Sequence, residues 1–287
     1  MSLTEKVAVV TGANTGLGFE TALALYRKGA KVIVACRSEE KGLAAIERIK
    51  AAGNGGEIDY INLDLSNLVS VRDFAIKFNT DEMRLDFLIN NAGVMIPPAS
   101  KTVDGFELQM GVNFVGHFAL TGQLFDLLEA TNGSRVVTLS SLAHRDASIN
   151  FGNFRLETEY EPWREYGQSK LADMILMREF HKRLQAKGCQ LASLAAHPGF
   201  SKTDLQKNMS KEMLGSIELM TAKEGAQPTL TACLSTDAKS GQYWGPGGPN
   251  ETSGAPALAK IDSAALNEDV NKKLWDWAEK VTGVSFP

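Results

Sequence analysis

Along most of the chain, short and nearly unbroken apolar runs alternate with longer stretches in which apolar residues recur at helical spacing. The runs are KVAVVT (6–11), KVIVAC (31–36), IDYINL (58–63), LDFLIN (85–90), RVVTLS (135–140) and QLASLAA (190–196). Continuous apolarity of this kind marks a parallel strand whose sheet is covered by helices on both faces. The stretches between, at 16–28, 39–51, 66–78, 105–129 and 166–187, read as amphipathic helices. Ser38 and Ser66 stand just before two of them, where a hydroxyl can accept from an unpaired backbone N–H. Strand–helix–strand units with short joins predict an α/β fold built on one doubly wound parallel sheet.

Beyond residue 196 the pattern changes. An aromatic run, QYW (242–244), reads as a last edge strand, and the Gly- and Pro-rich 245–256 as a loop. A closing helix over 263–283 is expected to end at Gly283. No repeat of fixed period and no low-complexity tract divides the chain, so residues 1–287 read as one domain.

Composition narrows the function. Hydrophobic residues make up 44% of the chain, enough for a large core, and the net charge is -4. No Lys/Arg run with interleaved aromatics offers a surface to nucleic acid. Cys36, Cys189 and Cys233 are far apart and lack metal-ligand spacing, so they read as reduced, buried thiols with no metal. No window approaches 18 uninterrupted apolar residues, and MSLTEKVAVV runs straight into a strand without a signal-peptide pattern. A cytoplasmic protein without a membrane span is expected.

The first chemical signal is TGANTGLG (11–18), set between the first strand and the first helix. Gly12 allows a sharp turn, Gly16 a close backbone approach to a pyrophosphate, and Gly18 tight helix–sheet packing. Asn14, Thr15 and Leu17 complete the loop and are taken as cofactor contacts with it. The N–H groups opening the helix then face the anion. Such a loop can be a plain turn, but here it makes the fold Rossmann-type and points to a dinucleotide. An acid usually ends the second strand to grip the 2′-hydroxyl of NAD. Here Cys36 stands in that place with Arg37 beside it, and a guanidinium suits the 2′-phosphate of NADP(H). The alternative is a merely solvated charge at a strand end.

The second signal is YGQSK, Tyr166 to Lys170. It is either an ordinary helix pair or a proton donor with its tuning charge. A free phenol has a pKa of about 10, too weakly acidic for reversible proton transfer near neutrality. A cation held at roughly 4–6 Å lowers such a pKa by about 1–3 units, and residues four apart share a helix face.

Taken in order, TGANTGLG, LDL with Asp64, NNAG (90–93), GVNFVGHF with Asn113, SS (140–141), YGQSK and HPGFSKT (197–203) resemble the short-chain dehydrogenase/reductase family nearly end to end. RVVTLSSLAH, SKLADMILMREF and AAHPG are most similar to its retinol-dehydrogenase-like branch, which acts on lipophilic carbonyls and alcohols. The resemblance implies that Asp64 and Leu65 flank the adenine and that Asn91, Ala92 and Gly93 pass along its ribose. It implies that Asn113 holds a water in a proton relay, Ser141 bonds the substrate oxygen, and Tyr166 transfers the proton. Lys170 binds the nicotinamide ribose and lowers the tyrosine pKa, while Pro198, Gly199 and Thr203 cover the nicotinamide. The helices at 105–129 and 166–187 pair subunits in many relatives, which allows a homodimer as well as a monomer.

Two departures stand out. Cys36 replaces the acid, and the interval from Ser141 to Tyr166 is 25 residues (166 − 141), longer than in compact members. Segments 142–165 and 200–222 are therefore read as substrate-side loops. Phe151, Phe154, Tyr160 and Trp163 either shape an apolar pocket or simply pack the first loop down. His197 is expected to bond backbone near the cofactor, and His144 is a candidate for the substrate mouth. The membrane-anchoring segment of many animal retinol dehydrogenases is missing, which favours a soluble enzyme and weighs against retinol itself. The reading is an NADP(H)-dependent carbonyl reductase or alcohol dehydrogenase. Its rivals are an idle NADP(H)-binding sensor or scaffold, and a C=C reductase on the same donor set.

Overall fold

The computed structural model describes residues 2–203, 205 and 219–287. Eight strands form one sheet in the order β3-β2-β1-β4-β5-β6-β7-β8, all parallel except the last. They are β1 (Val7–Thr11), β2 (Lys31–Cys36), β3 (Ile58–Asn62), β4 (Phe87–Asn90), β5 (Arg135–Leu139), β6 (Ala192–Ala196), β7 (Tyr243–Pro246) and β8 (Pro256–Leu258). Strand order reverses between β1 and β4, so the crevice for a ligand opens at the carboxyl ends there.

The central strands are buried along their whole length, as their unbroken apolar runs require. β3, at the edge, alternates instead, burying Ile58 and Ile61 and exposing Asp59 and Asn62. Alternate residues feed two cores. Val9, Ile33, Leu88 and Val136 face one, with α3 (Leu68–Asp81), α4 (Gly116–Gln123), α5 (Phe125–Ala130) and α6 (Pro162–Lys187). Val10, Val34, Ile89 and Val137 face the other, with α1 (Gly16–Arg27), α2 (Glu39–Ala51) and α8 (Gln227–Leu234), which follows the short α7 (Ala222–Gly225).

Several expectations shift. The helix predicted over 105–129 is broken into a π-helical turn, Met110–Val115, followed by α4 and α5, which part at Leu124. The π turn starts where Glu107 accepts from the N–H groups of Gln109 and Met110. α3 is capped by Asn67, one residue later than expected, whose Oδ1 accepts from Val69 and Ser70 N–H; the Ser66 hydroxyl instead donates to Asp64 at 2.6 Å. α6 begins at Pro162, four residues before Tyr166, with Glu161 as its cap. β7 is not the edge: the segment read as a loop turns back on itself, with Gly247 donating to Ala255 and Gly248 to Ser253, and delivers β8.

The closing helix α9 (Glu268–Thr282) ends at Gly283, which takes the left-handed conformation at φ 68°. It lies against α6. Trp275 is 1% exposed and meets Phe118 at 5.0 Å, Phe286 at 4.7 Å and Phe180 at 6.1 Å between ring centroids. Trp275→Ala should therefore cost about 3–5 kcal/mol, since it removes the centre of this cluster. A denaturant melt showing a loss below 1 kcal/mol would contradict the packing.

Candidate active site

The glycine loop is built from backbone conformations and close approaches that a side chain would spoil. Gly12 and Gly16 have φ of 66° and 56°. A Cβ on Gly18 would lie 2.5 Å from the Gly12 carbonyl oxygen and from Asn91 Nδ2. Just before the loop, Thr11 ends β1 fully buried. Its Oγ accepts from Asn91 N–H at 2.9 Å and Ala92 N–H at 2.8 Å, while Asn91 Nδ2 donates back to the Thr11 carbonyl at 2.7 Å. His117 completes the clamp. Its Nδ1–H donates to the Asn113 carbonyl at 2.7 Å, so Nε2 accepts from the Thr11 hydroxyl at 2.9 Å. Burial pushes the His117 pKa down to about 3, which keeps the ring neutral.

Two adjoining cavities, of about 460 and 530 Å³, meet across Leu17, Asn91, Gly93 and Thr203. The first is lined by Gly12, Asn14, Thr15, Gly16, Leu17 and Gly18 of the loop, by Arg37, by Asp64 and Leu65, and by Asn91, Ala92 and Gly93. α1 carries no acid in its first turn to repel an anion. Two glycines at positive φ, a third with no room for a Cβ, an acid-free helix start and an exposed Arg37 at the cavity fit a dinucleotide with its phosphates. Asp64 Oδ1 is engaged locally, accepting from Ser66 N–H and Oγ. Cys36 is also at this cavity, but burial raises its thiol pKa and its Sγ–H donates to the Ser38 carbonyl at 3.4 Å.

The second cavity brings together Ser140, Ser141, Tyr166, Lys170, Pro198 and Gly199. The two serines differ in what they can offer. Ser140 Oγ–H is spent on the Lys170 carbonyl at 2.8 Å. Ser141 Oγ only accepts, from Ala143 N–H at 3.2 Å, as the cap of the turn Leu142–His144, so its O–H remains for the cavity. Lys170, 5% exposed, donates to the Leu139 carbonyl at 2.9 Å and to Asp173 Oδ2 at 2.8 Å. Burial works against its ammonium, yet Asp173 and Tyr166 outweigh it and raise its pKa. Asp173 feels the opposite balance. Burial pushes its carboxyl up to about 7 against the pull of Lys170, and its Oδ1 has no partner among the described residues.

Asn113 is the one predicted catalytic residue that lines neither cavity. It is fully buried in the π turn, accepting from Val94 N–H at 2.8 Å and donating to the Val94 carbonyl and Ser169 Oγ. Gly93 lies between it and the lysine: a Cβ there would stand 3.2 Å from Asn113 Oδ1 and 3.7 Å from Lys170 Nζ.

Pro198 and Gly199 are held from behind. His197 Nδ1 accepts from Gly199 N–H at 3.2 Å, and its Nε2–H meets Glu251 at 3.1 Å. Burial, opposed by Glu251, lowers its pKa to about 4. His197 thus bonds backbone as expected. His144 does not reach the substrate mouth: it is 0% exposed, donating from Nδ1 to the Ser141 carbonyl and accepting at Nε2 from Asp262 N–H. Of the four aromatics at 151–163, only Trp163 lines the cavity, edge-on to Tyr166 at 6.2 Å. Phe154 packs on Trp277 at 4.3 Å, Phe151 on Phe154, and the Tyr160 hydroxyl donates to the Pro97 carbonyl. From 200–222, Phe200, Leu205 and Leu219 join the wall, and residues 204 and 206–218 lie outside the described residues.

Thr11, His117 and Asp173 were missed from the sequence. Two carried a usable signal, since His117 is four residues after Asn113 and Asp173 three after Lys170 on helical segments.

The sequence profile of the short chain dehydrogenase family matches residues 6–214. Retinol dehydrogenase 12 of Homo sapiens is 42% identical over 292 residues, spanning 100% of this chain and 89% of that protein. Retinol dehydrogenase 13 of Homo sapiens is 38% identical over 295 residues, spanning 98% of this chain and 86% of its own length. Among solved structures, an uncharacterized protein from Mycobacterium Paratuberculosis superposes with a TM-score of 0.84 at 39% identity, covering 100% of this chain and 96% of that one. A complex of RhlG with NADP from Pseudomonas aeruginosa gives a TM-score of 0.68 at 26% identity, covering 84% of this chain and 94% of that one.

Thr11→Val leaves the Ala92 N–H and His117 Nε2 without their partner, while the Asn91 N–H keeps the Ile89 carbonyl at 2.9 Å. It should cost about 1–3 kcal/mol per orphaned group and loosen the Asn91–Gly93 wall. Chemical denaturation and dinucleotide titration of the variant check this, and wild-type values in both would refute the clamp.

Proposed function

Because the chain belongs to the short chain dehydrogenase family, we propose that it is an NADP(H)-dependent oxidoreductase acting on a lipophilic alcohol or carbonyl. The observation that carries this reading is the shared cavity of Ser141, Tyr166 and Lys170, adjoining the one built on the glycine loop. NADPH, when bound, supplies the hydride for the carbonyl carbon. The remaining chemistry belongs to the protein. Tyr166 gives its proton to the substrate oxygen, and the Lys170 ammonium favours the phenolate left behind. Ser141 O–H donates to the same oxygen, a fixed donor where charge develops. Lys170 also offers a donor to the nicotinamide ribose, while Pro198, Gly199 and Thr203 cover the ring. Asp64 and Leu65 flank the adenine, and Asn91, Ala92 and Gly93 its ribose. Asn113 acts by holding Val94 and Ser169, and so positions the wall beside Lys170.

Arg37 is assigned to the 2′-phosphate, with Cys36 leaving no carboxylate to compete for it. NADP is the ligand of the RhlG complex, which supports the same cofactor here. Segments 142–165 and 200–222 supply apolar walls through Leu142, Ala143, Trp163, Phe200 and Leu219, which suits a lipophilic substrate. The retinol dehydrogenases among the relatives fit that class. No helix among the described residues is long and apolar enough to cross a membrane. α9 covers part of α6, so a homodimer using α6 would form with α9 at or beside the contact.

Tyr166→Phe should bind NADPH as the wild type does and lose about 10²–10⁴-fold in kcat. The check is a screen of ketones, aldehydes and retinoids with NADPH, where full retained turnover sinks the proton-donor assignment. Arg37→Ala should weaken NADPH by about ten-fold or more and leave NADH unaffected. An unchanged ratio of the two affinities refutes the 2′-phosphate contact.

A further inference from the structure

The Lys170–Asp173 pair does more than the proposed chemistry requires. Tyr166, Lys170 and Asp173 follow one another at steps of four and three on α6, so their side chains leave one face of the helix, with Tyr166 and Lys170 lining one cavity and Asp173 meeting the ammonium. The lysine and aspartate side chains are 6% and 1% exposed, and their contact is 2.8 Å, so water screens it little. Burying a carboxylate is costly, and a neutral acceptor such as an amide would hold the amine without that cost. Nor does Asp173 build a wider network: Oδ2 meets Lys170, and Oδ1 meets no hydrogen-bond donor among the described residues. The charge itself is the feature to be explained.

We infer that Asp173 is a positioning residue that fixes the direction of the Lys170 amine and, by opposing its charge, restrains the ionisation of Tyr166. An ammonium has three N–H bonds. The Leu139 carbonyl and Asp173 Oδ2 take two, which leaves one for the cavity that Lys170 lines. The carboxylate also converts a lone positive charge into a short dipole, whose field at the phenol is weaker. The pair therefore draws less on the phenol proton than an unpaired lysine would.

The other titratable groups facing this row do not compete. His117, from α4, and His144, from the turn after β5, are held neutral by burial. Tyr243, from β7, is pushed far from ionisation by burial. Glu165 is paired with Arg164, and Glu251 with Arg145.

This inference rests on Tyr166 as the proton donor, so the test separates the two. The protein is labelled with ¹³C at the tyrosine ring ζ carbon, and the Tyr166 signal is assigned by its loss in Tyr166→Phe. Its titration is followed with NADP⁺ bound. Asp173→Asn should move the Tyr166 midpoint down by about one pH unit or more in a protein that stays folded, with some loss of melting temperature and NADPH affinity because the Lys170 amine has lost its charged partner. Asp173→Ala should do the same, and Asp173→Glu should return the midpoint toward the wild-type value. In turnover, the alkaline limb of kcat/KM for reduction should fall by the same interval in the Asn variant. An unmoved Tyr166 midpoint in folded Asp173→Asn or Asp173→Ala overturns the inference. So does loss of the fold in all three variants, which would make Asp173 a stability residue. If Tyr166→Phe keeps full turnover while Asp173→Asn still shifts the ring carbon, the proton-donor reading fails and the electrostatic coupling stands.

Discussion

A cation with almost no exposed surface has to be surrounded by acceptors, and the arrangement around Lys170 follows from that requirement. One acceptor is the carbonyl that ends β5, another is a carboxylate one turn further along α6. Satisfying the ammonium therefore ties a strand end to a helix side. Ser140 makes the same tie in reverse, donating its hydroxyl to the Lys170 carbonyl. With strand and helix locked in this way, Ser141 at the end of β5 and Tyr166 one turn before Lys170 have to open on the same space. The cavity is a consequence of burying the charge where sheet and helix meet.

The other side of the crevice is built without charge. Thr11, Asn91, His117 and Asn113 form a chain of neutral hydrogen bonds linking β1, the segment after β4, the π turn and α4. His117 fits because burial strips it of its proton; a charged imidazole would face Lys170 across a dry interior. The Val94 backbone, held at both its N–H and its carbonyl by Asn113, carries that chain to the cavity wall. Neutral groups thus set the shape, and the lysine–aspartate pair sets the field. This division lets the cavity walls remain largely apolar while one end stays strongly polar.

What the sequence made legible depended on how local each cause was. β1, β2 and β4 are buried on both faces, so their runs are apolar except at a terminal Thr11, Lys31 or Asn90 and could be read directly. The glycine loop announced itself because its backbone shape excludes side chains. YGQSK was legible because both groups sit on one helix face. The break in 105–129 was not, since it is set by Glu107 and by the pull of Asn113 on Val94, neither of which alters apolar periodicity. Asn67 rather than Ser66 caps α3: the two are adjacent and of similar cap propensity, so the sequence did not separate them. β8 was hidden in Gly- and Pro-rich sequence whose pairing is supplied by a hairpin. Phe151, Phe154 and Tyr160 looked the same as Trp163 in the sequence. Only the position of Trp277 on the distant α9 decides that Phe154 packs inward and Trp163 is left for the cavity.

The same distant helix bears on why a strained site can persist. An unpaired carboxylate oxygen costs about 1–3 kcal/mol. Gly199, at φ 59°, lies so close to the Thr252 carbonyl that a Cβ would come within 2.3 Å of it. The first is a cost on α6, the helix that α9 and Phe286 brace; the second leaves room only for glycine, which takes that conformation without strain. Phe118, Phe125, Phe180, Trp275 and Phe286 interlock further along α6, where Phe180 continues the face that carries Tyr166, Lys170 and Asp173, in edge-on and tilted pairs. Each such ring buries a large apolar area, and pairing adds roughly 0.5–1.5 kcal/mol beyond it. A face of α6 pinned by that cluster cannot rotate to relieve Asp173, because any turn of the helix would pull Phe180 and its neighbours out of register. The buried carboxylate is held beside Lys170 by packing two turns further along the same face of the helix, so the aromatic cluster underwrites the electrostatics of the site.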